Sequence, residues 1–296
     1  MHDDEVLDLF QRCSNRGRWG QDDQLGTLNY ITDAKRRQAA HLVRRGRTVT
    51  LGRDLATRTD QADPDAVLHL MLSDPHLPMA AEGYLGMRIH GLGTHLDALA
   101  HVQWEGTCYN GRAASEVIDR DGLAFASIHA QRDGIFTRGV LLDVARARDV
   151  RWVEPADMVT VEDLEAAEEW ANVRVERGDA LFVRVGLDVL QSATGFRDVS
   201  ERAGLDARCV EWFHRREIAV FGGDCVEKIP YPSARFPLPL HQIGLASMGL
   251  VLLDWPEVEE LGTVCEELGT WEFLATVAPL PLPRGTGSAV NPLCVF

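Results

Sequence analysis

His95, Asp97 and His101 lie within seven residues of one another in the stretch His90-Gly-Leu-Gly-Thr-His-Leu-Asp-Ala-Leu-Ala-His101. Imidazole nitrogen and carboxylate oxygen are the donor pair that suits zinc or manganese in a hydrolytic centre. If the segment is extended where it begins, His95 and Asp97 project from one face, because strand side chains repeat every two residues. If a helix starts at Asp97, His101 follows one turn on along the same side. The spacing thus predicts metal ligands and a nearby acid/base group from one short segment. Gly91, Gly93 and Thr94 alongside fit this reading, since glycine can take positive φ and let a backbone approach a ligand closely.

The surrounding elements must position that segment. Asp3–Cys13 is acidic and helix-competent, and Thr32 is placed to cap a helix running through Val43. Thr48-Val-Thr-Leu-Gly52 is the first strand signal. Gly139–Val144, Arg177–Gly186 and Ile218–Gly223 contain short apolar runs of the kind found in strands buried on both faces. Between them, Val161–Trp170 has helical periodicity, introduced by Thr160 with Asp163 three residues on, in the manner of a capping box. Strand, helix and strand in this order predict an α/β core with a partly parallel sheet. The proline-rich run Ile229–Leu240 reads as an ordered loop leading to His241, and Asp254-Trp-Pro-Glu as a helix start after the apolar run Leu245–Leu253. With no repeat or linker, residues 1–50 read as an N-terminal extension packed on a single catalytic domain, 51–296.

Size and charge narrow the class. The chain has 296 residues, 45% of them hydrophobic and 25% charged, which is ordinary for a globular protein with a large core. A net charge of −15 argues against nucleic acid or an anionic membrane surface as partner. The six cysteines form no Cys-x-x-Cys pair and no leader or membrane-length apolar run is present, so free thiols in a reducing cytoplasm are expected. Cys225 reads as a small buried apolar residue rather than a nucleophile. Asp224 reads equally as a carboxylate orienting a ligand histidine or as a loop cap. Ser233, Ser247 and Ser288 lack nucleophile-elbow context, and Gly91-Leu-Gly93 lacks the rest of a dinucleotide fingerprint.

Gly93-Thr-His-Leu-Asp-Ala-Leu-Ala-His101 resembles the signature of the cyclase family, metal-dependent hydrolases that include bacterial kynurenine formamidase and isatin hydrolase. Trp19–Asn29, Arg138–Asp143, Arg177–Gly186 and Gly285-Thr-Gly-Ser-Ala-Val-Asn-Pro292 extend the likeness over nearly the whole chain and resemble the longer members. The resemblance implies a swivelling β/α/β fold, assembly as a homodimer or homotetramer, and a divalent metal. His95 and Asp97 match ligand positions, His101 matches a position that serves as ligand or acid/base, and His241 and Asp254 fall where a later histidine and carboxylate complete the site. Two departures stand out. The signature's first histidine falls on Gly91, with His90 displaced by one residue, a slip that a glycine bulge could absorb. The late carboxylate, usually Glu, is Asp254.

The expected activity is metal-assisted hydrolysis of an amide, lactam or related acyl bond in a small aromatic or cyclic substrate, with His101 moving the proton. Trp104 and Tyr109 are candidates for the substrate wall; Trp19 reads more readily as packing. A cyclase or dehydratase of polyketide-like compounds would use the same metal and histidine. A metal-poor, catalytically silent binding protein is the third reading, suggested by the changes at Gly91 and Asp254.

Overall fold

The computed structural model describes residues 3–58, 66–72, 76, 79–91, 93–195 and 200–296. Its centre is a nine-stranded mixed sheet. In chain order the strands are β1 (Thr48–Thr50), β2 (His95–Asp97), β3 (Ile135–Asp143), β4 (Ala180–Arg184), β5 (Val220–Gly223), β6 (Val251–Asp254), β7 (Glu272–Val277), β8 (Gly287–Ala289) and β9 (Leu293–Val295). They lie in the order β1-β9-β7-β3-β4-β5-β6-β2-β8. The central pairs β3/β4, β4/β5 and β5/β6 are parallel, and the pairs on either side are antiparallel.

The parallel strands are the apolar runs of the sequence, and β4, β5 and β6 are buried at every position. Helices cover them, as parallel crossovers require. Val161–Ala171 and Cys209–Arg216 turn buried apolar residues inward, among them Leu164, Trp212 and Phe213. The capping box is formed, with the Thr160 hydroxyl accepting from Asp163 N and the Asp163 carboxylate accepting from Thr160 N. Thr32 caps Asp33–Ala40 through Lys35 N, and the helix ends before Val43.

Three boundaries differ from the sequence reading. Thr48–Thr50 pairs with β9 inside the main sheet, so the end of the N-terminal extension belongs to the core architecture. Leu245–Leu253 is divided between a π-helical turn, Gln242–Met248, and β6. Asp254 ends β6 instead of starting a helix, because Trp255 takes φ +56° and Pro256 follows; the helix begins at Glu259.

Candidate metal centre

β2 sets the site. It lies between β6 and β8, with His95 opposite Asp254 and Ala289, and Asp97 opposite Gly287. Alternation along the strand sends Leu96 into the core and brings His95 and Asp97 out on the other face together. The antiparallel register then places the Asp254 carboxylate beside His95, although the two residues are far apart in sequence. His241 arrives from the short turn Pro239–His241 that leads into the π-helical segment. Local departures of this kind recur where a side chain must be aimed at a site.

The donors converge in two overlapping sets. His90, His95 and Asp97 form one, Asp97, His241 and Asp254 the other; within each set the donor atoms lie within 4.8 Å of one another. Asp97 belongs to both. His90 Nδ1 and His95 Nε2 stand 3.0 and 3.6 Å from Asp97 Oδ1, and His241 Nε2 is 4.0 Å from Oδ2. His241 Nε2 also meets Asp254 Oδ2 at 3.1 Å.

These groups fit a divalent cation. Both carboxylate oxygens of Asp97, Oδ1 of Asp254 and Nδ1 of His90 are buried without a hydrogen-bond partner among the described residues. Buried polar atoms left unpaired cost about 1–3 kcal/mol each, and more when charged. A cation held by either set would satisfy unpaired atoms within it, and the mixed nitrogen and oxygen donors suit zinc or manganese. His95 Nδ1 hydrogen-bonds the Gly93 carbonyl at 2.8 Å, which leaves Nε2 facing Asp97.

His90 reaches the site without the glycine bulge suggested by the sequence. Neither Gly91 nor Gly93 takes positive φ. Instead, room for the ring comes from β8, where a Cβ on Gly287 would lie 2.8 Å from His90 Cε1. Thr286 Oγ1 pairs with His90 Nε2 at 3.0 Å and aims Nδ1 at Asp97. The Gly285-Thr-Gly-Ser motif thus serves His90.

His101 belongs to neither donor set. Its ring stacks on His90, centroids 3.5 Å apart and planes inclined by 8°. Burial, aided by the neighbouring imidazoles and opposed by Asp97, pushes its pKa down to about 4. It is therefore a neutral imidazole beside the cluster at ordinary pH.

Glu227 escaped the sequence reading. It is fully buried, and its two oxygens lie 2.9 and 3.0 Å from His241 Nδ1. Oε2 also accepts from the backbone N–H groups of Leu240 and His241. A carboxylate of this kind fixes the tautomer and direction of a ligand imidazole. Burial opposes a charge on His241, but Glu227 and Asp254 outweigh it and hold its pKa well above the usual value. Asp254 is pushed upward by burial, yet His241 leads the charges that hold it below the usual carboxylate range. Glu227 lies fourteen residues before the histidine it braces, and no motif marks it. Asp224, the carboxylate weighed for such a task, instead accepts from the N–H groups of Val185, Gly186 and Leu187 at 2.8 Å each and caps the helix Leu187–Thr194.

Tyr109 and Trp104 are placed differently from the expected substrate wall. Tyr109 is 1% exposed, packs on Gly249 and donates its hydroxyl to Asp23, so it is a core residue rather than a wall. Trp104 lies between Phe10 and Phe236, at centroid distances of 4.5 and 5.5 Å, in an aromatic stack that anchors the first helix. Trp19 packs edge-on against Tyr30. Trp255, next to Asp254, is the indole that borders the centre. Cys225 is buried, and burial raises its thiol well above the ordinary range, in keeping with a packing role.

The cyclase family model matches residues 29–227. A search of curated proteins gives no match. Among solved structures, the crystal structure of a novel cyclase superposes with a TM-score of 0.85 at 28% identity, covering 96% of this chain and 99% of its own. An isatin hydrolase bound to the product analogue thioisatinate gives a TM-score of 0.61 at 17% identity, covering 87% and 94%. Isatin hydrolase A from Labrenzia aggregata, bound to benzyl benzoate, gives 0.59 at 19%, covering 86% and 94%. The mixed α/β fold is common to all of them, and with the family match over residues 29–227 the chain belongs to the cyclase family.

Proposed function

We propose that the chain is a metal-dependent hydrolase that opens an amide, lactam or related acyl bond in a small aromatic or cyclic substrate, in the manner of an arylformamidase. The observation that carries this reading is the buried convergence of His90, His95, Asp97, His241 and Asp254 with carboxylate oxygens left unpaired. A divalent ion held there, zinc or manganese, would supply Lewis acidity for the scissile carbonyl and lower the pKa of water. The kinship in fold with isatin hydrolases supports the same class of bond.

The chain's own residues supply orientation and proton transfer. Glu227 and Thr286 hold His241 and His90 in direction, so the donor set is arranged before anything binds. In this reading His101, stacked on His90, accepts a proton from attacking water and returns it to the leaving nitrogen. Trp255 offers an apolar wall.

A panel of N-formyl anilines and lactams tests this reading. Metal-loaded protein should hydrolyse members of the panel, and His101→Ala should lower turnover about a hundredfold at unchanged metal content. Loaded protein inert to the whole panel would favour a carbonyl-enolising cyclase or dehydratase. Substoichiometric metal after purification without chelator would favour a silent binding protein.

A further inference from the structure

One cation beside the centre has no carboxylate partner among the described residues. Arg53 and Arg202 both lie on the indole of Trp255, with guanidinium carbons 5.9 and 4.6 Å from the ring centroid. Arg53 is committed, binding Asp188 through two hydrogen bonds of 2.9 and 2.7 Å and the Trp255 carbonyl through Nε. Arg202 is not. Its backbone is clamped by reciprocal hydrogen bonds with Ile229, at 2.8 and 3.1 Å, while its Nε is buried without a partner and its guanidinium forms no ion pair among the described residues.

Arg202 also lines a small cavity, together with Asp224, Cys225, Asp254 and Trp255. That cavity adjoins the donor cluster through Asp254. It leaves about 10 Å³ for the centre of a water-sized group, which matches one carboxylate oxygen. The carboxylates on its wall have other duties, Asp224 to three backbone N–H groups and Asp254 to His241. A guanidinium whose buried Nε–H lacks an acceptor can bind an anionic oxygen strongly.

We propose that Arg202 is a substrate-binding residue that takes a carboxylate oxygen of the substrate, and so selects anionic acyl compounds over neutral ones. The proposal rests on the hydrolase reading, since it uses the same centre. The Trp255 indole lies beneath the guanidinium, and the Ile229 clamp fixes the backbone from which it extends.

Benzoate and its neutral isostere benzamide serve as probes, titrated calorimetrically into metal-loaded protein with metal content measured for every variant. Arg202→Gln should weaken benzoate binding tenfold or more and leave benzamide binding unchanged; Arg202→Lys, which keeps the charge, should recover part of the loss. Equal benzoate affinity in wild type and Arg202→Gln, or no benzoate binding by loaded wild type, overturns the proposal. So does loss of benzoate binding in Asp97→Asn alone, which would assign that binding to the metal. Absence of metal from wild type is a separate outcome and counts against the hydrolase reading, while the benzoate comparison between wild type and Arg202→Gln still decides the role of the arginine.

Discussion

Asp97 and Glu227 are both buried carboxylates, yet their surroundings assign them opposite tasks. Asp97 presents two carboxylate oxygens to three imidazoles, and neither oxygen accepts a hydrogen bond from the described residues. Glu227 is saturated, with two backbone donors and the His241 ring on its oxygens. The first is built to hold a cation, the second to hold a ligand. Glu227→Gln keeps the shape but replaces one acceptor with an N–H donor, so the His241 ring loses its orientation. Metal affinity measured by calorimetric titration is expected to fall about 10–100-fold while the melting temperature moves little, and unchanged affinity would remove Glu227 from this role.

Strand register does most of the positioning at the scale of elements. β2 is three residues long, and its pairing with β6 and β8 gathers groups from three separate parts of the chain. A slip by one residue would turn His95 and Asp97 into the core and Leu96 out. Leu96, fully buried, is one brake on such a slip. Helices contribute through the frame behind the site. The capping box at Thr160 satisfies two N–H groups that the first turn of Val161–Ala171 leaves open. Thr160→Ala should destabilise the protein by about 1 kcal/mol, seen as a melting temperature lower by a few degrees, without altering metal content. A loss of metal in this variant would mean that the frame and the site are more tightly coupled than their separation in the fold suggests.

All six cysteines of the molecule are buried and unpaired. Burial raises the Cys13 thiol from its ordinary 9.0 to about 12 and lifts Cys209, Cys225 and Cys294 well above the ordinary range. Native protein should therefore react with no more than a trace of a thiol reagent at pH 8, while six thiols titrate in denaturant. The linkage has a definite sign. Thiols that stay protonated to higher pH when folded contribute stability below about pH 9, and that stability is lost as pH rises toward 12, so the melting temperature should fall across this window. Prompt labelling of native protein would contradict the burial. The surface carries a second feature of the whole molecule. The two-stranded ribbon of Leu68–Leu72 and Glu82–Gly86 exposes Met71, Tyr84 and Leu85, each by more than half, and among the described residues pairs with no strand of the main sheet. An isolated ribbon is marginal in water. Two copies of a chain with net charge −15 meet most cheaply through such a charge-poor surface. We propose a homodimer or homotetramer that buries this ribbon between copies. Light scattering should then give a multiple of 32.8 kDa, reduced by Met71→Glu; a monomeric wild type would reject it.

The amino-acid sequence by itself determined the α/β class, the apolar strands, the capping box at Thr160 and the short segment from His95 to His101, because these depend on local periodicity and on neighbours within a few residues. It also carried the likeness that pointed to His241 and Asp254. Only the tertiary structure decided how a displaced His90 reaches Asp97, since that depends on the missing Cβ of Gly287 and the hydroxyl of Thr286, nearly two hundred residues away. It likewise decided that Tyr109 packs in the core, that Asp254 closes a strand, and that Glu227 rather than Asp224 braces His241. Such choices are made by burial and by strand register, which bring together residues that no local spacing relates.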